Sequence, residues 1–347
     1  MDGKGAQCPV HDARLAQDGG ATPARFDAAA DRWILSSYAD VQAAFHEPNL
    51  CPVDSHGNGP LDGETRASSA QTRMQALAAL PAGRLAEWQA EFEPIAATIA
   101  TALPLDRAID VLGEFARPWS LALAVRVSGA APEDVEHLAA LAARVTIATA
   151  CPEDASLKPA GDAANNELNA ALANGNQPMP GPAFVALSQT VPCLLANTWL
   201  ILLRAPYEIE RVRANGSLTA AAVEELLRRA SLVRSLHRRA AADLQIGDLL
   251  IKRGQRVELM VESANHDPEY FPDPHSLNLS RKTVGHFALG AGSHSCAAAS
   301  LIRMAIGIAT RVLVAHFDPA EDNTQVTWRG GSGFRWPAPL YARRLSA

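Results

Sequence analysis

Apolar residues recur every three or four positions through two long Ala- and Leu-rich stretches, Leu85 to Leu141 and Ala183 to Ala230. That spacing lines them along one face of a helix and predicts a mainly helical protein. Two-residue alternation is confined to short stretches. Between Asp243 and Leu259, the apolar residues Leu244, Ile246, Leu249, Ile251, Val257 and Leu259 flank Gly247 and Gly254, which predicts hairpins; Val326 to Tyr341 is the second sheet-like stretch. The expected fold class is therefore mainly α with small β-sheets. Pro-, Gly- and Asn-rich segments at Cys51 to Gly63, Cys151 to Ala164 and Gly175 to Pro182 predict loops or lids. Asn265 to His286, with Pro268, Pro272 and Pro274, predicts ordered coil. No internal repeat is seen, and residues 1–347 are expected to form a single domain.

Composition narrows the class. A chain of 347 residues that is 48% hydrophobic and 20% charged can bury a full core. The net charge of -6 is spread without long runs of either sign, which argues against a nucleic-acid or anionic-membrane surface. Cys8, Cys51, Cys151, Cys193 and Cys296 lack the spacing of a zinc site or a disulfide scaffold. The N-terminus runs into no apolar leader, and no window holds the roughly 18 uninterrupted apolar residues of a span. These features imply a cytoplasmic protein with no membrane anchor.

One cysteine stands in a chemically distinctive setting. In His286-Phe-Ala-Leu-Gly-Ala-Gly-Ser-His-Ser-Cys296 it follows a glycine-rich loop and immediately precedes the helical pattern Leu301 to Ala309. Amides and the positive dipole end at a helix start favour a thiolate, and Gly290 and Gly292 are expected to let the backbone approach a flat macrocycle. A sulfur so placed is suited to bind iron.

The loop resembles the haem signature of the cytochrome P450 family, matched here by Gly292, His294 and Cys296, with Gly290 and His286 at positions that bacterial members commonly use. Leu289 stands where the family has Phe, and Ala298 where it usually has Gly. Glu225-Leu-Leu-Arg228 resembles the family's Glu-x-x-Arg helix, and Ala264 to Pro274 the segment between that helix and the Cys loop. The Arg that normally completes this buried ion cluster is replaced by Ser276, with Arg281 or His275 as substitutes. Ser231 to Arg238 resembles the strand that brings an Arg to a haem propionate, so Arg238 and His294 are the expected propionate partners. Gln71 and Gln75 stand where the family places His and Arg for the same purpose, which shifts weight onto Arg238, His294 and Arg73.

The resemblance runs from Trp33 to the end and implies the cytochrome P450 fold with haem b bound by Cys296. It also marks departures. Ala186-Leu-Ser-Gln-Thr190 corresponds to the helix segment that serves oxygen activation. Thr190 is retained; Gln189 replaces the proton-relaying acid and Leu187 replaces a Gly. Pro192 is expected to kink this helix near the haem. The stretch from Cys151 to Gly181 is short, with room for only a brief helix at Asn165 to Leu172, so the roof of the pocket is expected to be abbreviated.

The function implied is a monooxygenase that inserts oxygen from O2 into a small or medium apolar substrate with electrons from a ferredoxin and its reductase. An abbreviated roof suggests a large or carrier-tethered substrate, and Arg303 an acidic redox partner. Gln189 and Leu187 keep two alternatives open: a peroxide-using or isomerase/dehydratase-type haem-thiolate enzyme, and a catalytically degenerate haem-binding protein.

Overall fold

The computed structural model describes residues 22–53, 59, 71, 73–152, 154–173, 179–282, 285–320 and 326–346. Nine long helices carry the architecture of these residues: α1 (Tyr38–His46), α2 (Leu85–Ala102), α3 (Arg117–Ser128), α4 (Val135–Ala150), α5 (Lys158–Ala173), α6 (Val191–Leu203), α7 (Pro206–Asn215), α8 (Ala220–Arg229) and α9 (Ala299–His316). The mainly helical expectation is met.

Four small sheets surround the bundle. Arg25–Asp27 (β1), Arg32–Leu35 (β2), Leu50–Pro52 (β3), Leu236–Ala240 (β5) and Arg256–Leu259 (β8) form a five-stranded sheet of order β1-β2-β8-β5-β3. Its one parallel pair is β2 with β8, in the register Trp33 to Val257. Ala108–Asp110 (β4) interrupts the first helical stretch and pairs with Tyr341–Arg344 (β12), which also pairs with Phe317–Pro319 (β9). The hairpin read from alternation is Leu244–Ile246 (β6) with Leu249–Ile251 (β7), and the C-terminal one is Trp328–Gly330 (β10) with Arg335–Pro337 (β11).

The core explains why these helices pack. α6 is apolar almost all round and buries every residue from Val191 to Leu200, so it runs through the middle of the bundle. Trp88 from α2, Trp119 from α3 and Trp199 from α6 are fully buried around it, as is Phe115. Full burial of a Phe or Leu side chain contributes roughly 1.5–3 kcal/mol. Gly181–Leu203 and Ala299–His316 are long and apolar enough to cross a membrane, but 78% and 56% of their apolar windows are buried inside the protein. Core helices have that composition.

One expectation is corrected. The segment after Cys151 is not a mere loop with a brief helix: α5 spans 16 residues and packs along α4, burying Gly161, Ala164, Leu168 and Leu172. Gly161 is the contact that permits this approach, since a β-carbon there would stand 2.5 Å from Cβ of Ala148. Pro192, expected to kink its helix, stands inside the continuous helical run Gly181–Leu203. It lies at the start of α6, directly after a π-helical turn, Ala186–Thr190, where the wider hydrogen-bond spacing accommodates its missing N–H. Most of Cys51 to Gly63, and residues 175–178 of the third expected loop, lie outside the described residues.

Candidate active site

The site begins with α8. Thr219 caps it by accepting from Ala222 N–H at 3.1 Å, and its buried face carries both Glu225 and Arg228. The pair is bidentate, at 2.8 Å and 2.9 Å, with both side chains fully buried. Arg228 also donates to the carbonyl oxygens of Asn265, at 2.7 Å, and Pro274, at 2.9 Å, and so clamps the proline-rich coil to the helix. Arg281 supplies the third charge, donating from Nε to Glu225 Oε1 at 3.1 Å, while His275 stacks on His266 with ring centroids 5.2 Å apart. The carboxyl of Glu225 is raised by burial, but these guanidinium contacts outweigh that and hold it below the usual range.

The clamped coil positions the cysteine loop. Asn265 Oδ1 accepts from Phe287 N–H at 2.7 Å, and Glu224 accepts from His286 at 3.1 Å and from Arg303 at 2.6 Å and 3.0 Å. Burial raises the Glu224 carboxyl, yet these two partners lower it to about 2. Arg303 thereby ties the start of α9 to α8 while its side chain stays 40% exposed.

Within the loop, Cys296 N–H donates to Leu289 O at 2.7 Å and closes a compact turn. Gly290 and Gly292 have φ of 69° and 57°, in the left-handed region. A β-carbon on Gly290 would stand 2.6 Å from His294 O and one on Gly292 would stand 3.0 Å from Phe45 O. The two glycines shape the turn and its packing on α1, where they permit close approach to the chain's own backbone.

Cys296 is half-buried, ahead of the first turn of α9, and Leu289 packs beside it against the main core. Burial pushes its thiol up, against the Ala298 N–H and the charges of Arg73 and Arg303. The helix start alone therefore does not make a thiolate here; a metal cation bound to the sulfur would, since coordination deprotonates a thiol outright. Arg73, in the helical segment 73–79, donates to both the carbonyl and the hydroxyl of Ser295. Gln71 and Gln75 are exposed.

Beside the loop sits an unbalanced charge. Arg238 on β5 is 5% exposed, packs over the Phe45 ring and donates from Nη1 only to the carbonyl of its neighbour His237. Its buried Nε has no hydrogen-bond partner, and among the described residues it pairs with no carboxylate. Desolvation lowers it to about 10. The exposed His294 is lowered by desolvation and then by the charges of Arg238 and Arg73, so all three lie within electrostatic reach of one another. A desolvated cation of this kind requires an anionic oxygen partner.

Arg238 and Thr190 line one cavity of about 650 Å³. Its other walls come from Val53, α4, α5 and the bridge of Phe334 with Val233. Ala186 and Thr190 of the π-helical turn face it; Gln189 is half-buried and Leu187 fully buried, and neither lines it. Leu187 is therefore core packing rather than a plug in the cavity. The two carboxylates on its wall are engaged, Asp154 with Ser156 and Asp162 with Lys158.

These residues fit haem: a sulfur ligand in the loop, and a buried guanidinium lacking a carboxylate next to it, as a propionate requires. Cys296 was legible from the loop motif and Arg238 from the Ser231 to Arg238 segment, whereas the role of Arg73 at Ser295 was visible only as a cation between two glutamines.

Comparison with known proteins agrees with this architecture. Residues 210–341 match the family model described as Cytochrome P450. The chain is 27% identical over 337 residues to Cytochrome P450 107B1 of Saccharopolyspora erythraea, covering 83% of this chain and 82% of that protein. It is 32% identical over 145 residues to the Biotin biosynthesis cytochrome P450 of Bacillus subtilis, a match that spans 42% of this chain and 36% of the relative's length. Among solved structures, P450BioI in complex with hexadec-9Z-enoic acid ligated Acyl Carrier Protein superposes with a TM-score of 0.79 at 20% identity, covering 90% of this chain and 92% of that one.

Proposed function

Because this chain belongs to the cytochrome P450 family, we propose that it is a haem-thiolate enzyme of the monooxygenase type, with Cys296 as the axial ligand of haem b. The observation that carries this reading is Arg238: a desolvated guanidinium with no carboxylate partner, set between the cysteine loop and the Thr190 cavity. Arg238, with His294 and Arg73, holds the two propionates; Gln71 and Gln75 contribute nothing buried. Haem bound there supplies oxygen activation at iron, tuned by donation from the thiolate. Glu225, Arg228 and Arg281 do not touch the haem; they fix the coil that sets the position of Cys296.

On the cavity wall, beside Thr146, Thr149, Ser235 and His237, the Thr190 hydroxyl is the group of the π turn that can hold and pass a proton. The walls formed by Val53, Val145, Val185, Leu236 and Phe334 exclude water and select an apolar organic substrate, and the volume lies within the range of small-ligand sites. Electrons come from a ferredoxin-type partner in the cytoplasm.

A second reading has its own support. Gln189 does not titrate, and the carboxylates on the cavity wall are already engaged, so proton delivery to oxygen is weakly provided for and peroxide becomes an alternative oxidant. Turnover of a substrate chosen by its spin-state shift, measured with dioxygen plus ferredoxin and reductase and separately with hydrogen peroxide, tests the two. Product from the reductase system supports the monooxygenase; product from peroxide alone replaces it with the second reading, and a spectrum without thiolate ligation ends both.

A further inference from the structure

A second cavity, of about 450 Å³, opens between α6, α8 and the C-terminal hairpin. It is lined by four arginines, Arg204, Arg229, Arg234 and Arg335, against one carboxylate, Glu262. None of its lining residues is shared with the Thr190 cavity. The two are separated by a single ribbon, in which Arg234 N–H donates to Gly333 O at 3.0 Å and Val233 bridges Phe334. Alternation along that ribbon sends Arg234 and Arg335 to this side and Ser235 and Phe334 to the other.

The charges do not balance. Glu262 is taken up by Arg234 at 3.0 Å and Arg335 at 3.1 Å. That leaves Arg229, whose Nε is buried without a hydrogen-bond partner and which pairs with no carboxylate among the described residues. Its Nη1 donates to His266 Nε2, and His266 Nδ1 in turn donates to Glu262 O at 2.8 Å, which fixes a neutral imidazole that cannot compensate the charge. Desolvation, followed by the charge of Arg228, lowers Arg229 to about 10, and Arg204 also contributes repulsion. Two guanidinium groups from the ends of different helices thus face one cavity and lack a carboxylate partner among the described residues. Arg335 covers one face of the Trp328 ring, 4.3 Å from its centroid, and the ring stays 36% exposed on the cavity wall.

We propose that this cavity is an anion-binding site, separate from the Cys296 site, that takes a phosphate group through Arg229 and Arg204. Guanidinium donors arriving from several directions suit a tetrahedral oxyanion better than a single planar carboxylate. The phosphate is either the free ion or part of an organic phosphomonoester whose planar portion rests on Trp328.

Thermal unfolding of the holoprotein and isothermal titration, with inorganic phosphate and with phenyl phosphate as probes and chloride holding ionic strength constant, test this. Saturable binding is expected at one site, weakened ~10-fold or more by Arg229→Met, which keeps the buried stem but removes the charge. Arg204→Ala, at an exposed position that does not threaten folding, is expected to weaken it in the same direction. Tighter binding of phenyl phosphate, lost in Trp328→Ala, identifies an organic phosphomonoester; equal binding of both probes identifies the free ion. Absence of saturable binding, or binding unchanged in both Arg229→Met and Arg204→Ala, overturns the proposal.

Discussion

Arg281 Nε lies 3.1 Å from Glu225 Oε1, joining a coil residue to a carboxylate that is wholly buried on α8. The same guanidinium donates to the carbonyls of Pro272, at 2.6 Å, and Asp273, at 2.9 Å. It therefore fastens the later part of the proline-rich coil to α8, beside Arg228, which holds Asn265 and Pro274. Removing one partner of a buried network leaves the rest desolvated and underpaired.

Arg281→Ala is expected to destabilise the fold by about 2–4 kcal/mol, less than complete loss of the cluster because Arg228 still pairs with Glu225. Urea unfolding should show a lower midpoint at an unchanged slope. An unchanged midpoint would mean that His275 or water replaces Arg281 without cost.

Arg238→Met should act in opposite directions with and without haem. The haem-free chain should gain stability, since an unpaired desolvated charge is removed while the apolar stem remains. Haem affinity should fall by roughly 10-fold or more, read by titration of the Soret band, because a charge-assisted contact to a propionate is lost. Loss of stability in both states would assign Arg238 a purely structural role.

His266 makes stability depend on pH. Desolvation, together with the charge of Arg229, lowers it to about 4 from its ordinary value of 6.5. Between those values the unfolded chain binds the proton and the folded chain does not, so stability falls as pH drops from about 6.5 to about 4 and the loss is complete below that. The total is about 3 kcal/mol. Urea unfolding at pH 7 and pH 4.5 in phosphate-free buffer should show a smaller difference for His266→Gln than for the wild-type chain.

Thr190→Val retains shape and removes the hydroxyl from the cavity. Turnover driven by dioxygen and reductase is expected to fall ~100-fold, with peroxide-driven turnover much less affected. Gln189→Ala should change either rate little, since Gln189 does not face the cavity. A large effect of Gln189→Ala alone would reverse these two assignments.

What the sequence disclosed follows the range of the interactions involved. The Cys296 loop and the Glu225–Arg228 pair are local, so spacing alone exposed them. Arg281 remained one of two substitutes because its partner Glu225 is far away along the chain and only folding brings them together. α5 was hidden by Gly161 and by Asn165 and Asn166, residues that break an isolated helix; packing on α4 overrides that preference. The arginine cavity drew its residues from four separate segments, each of which reads as an ordinary solvated charge until the chain is folded.

The reduced carbon-monoxide difference spectrum of the haem-loaded protein, recorded beside Cys296→Ser, tests the central assignment most directly. A thiolate-type Soret band in the wild-type chain that is absent from Cys296→Ser is the predicted result. A wild-type spectrum of the histidine-ligated type, or one unaltered by the substitution, would contradict Cys296 as the axial ligand.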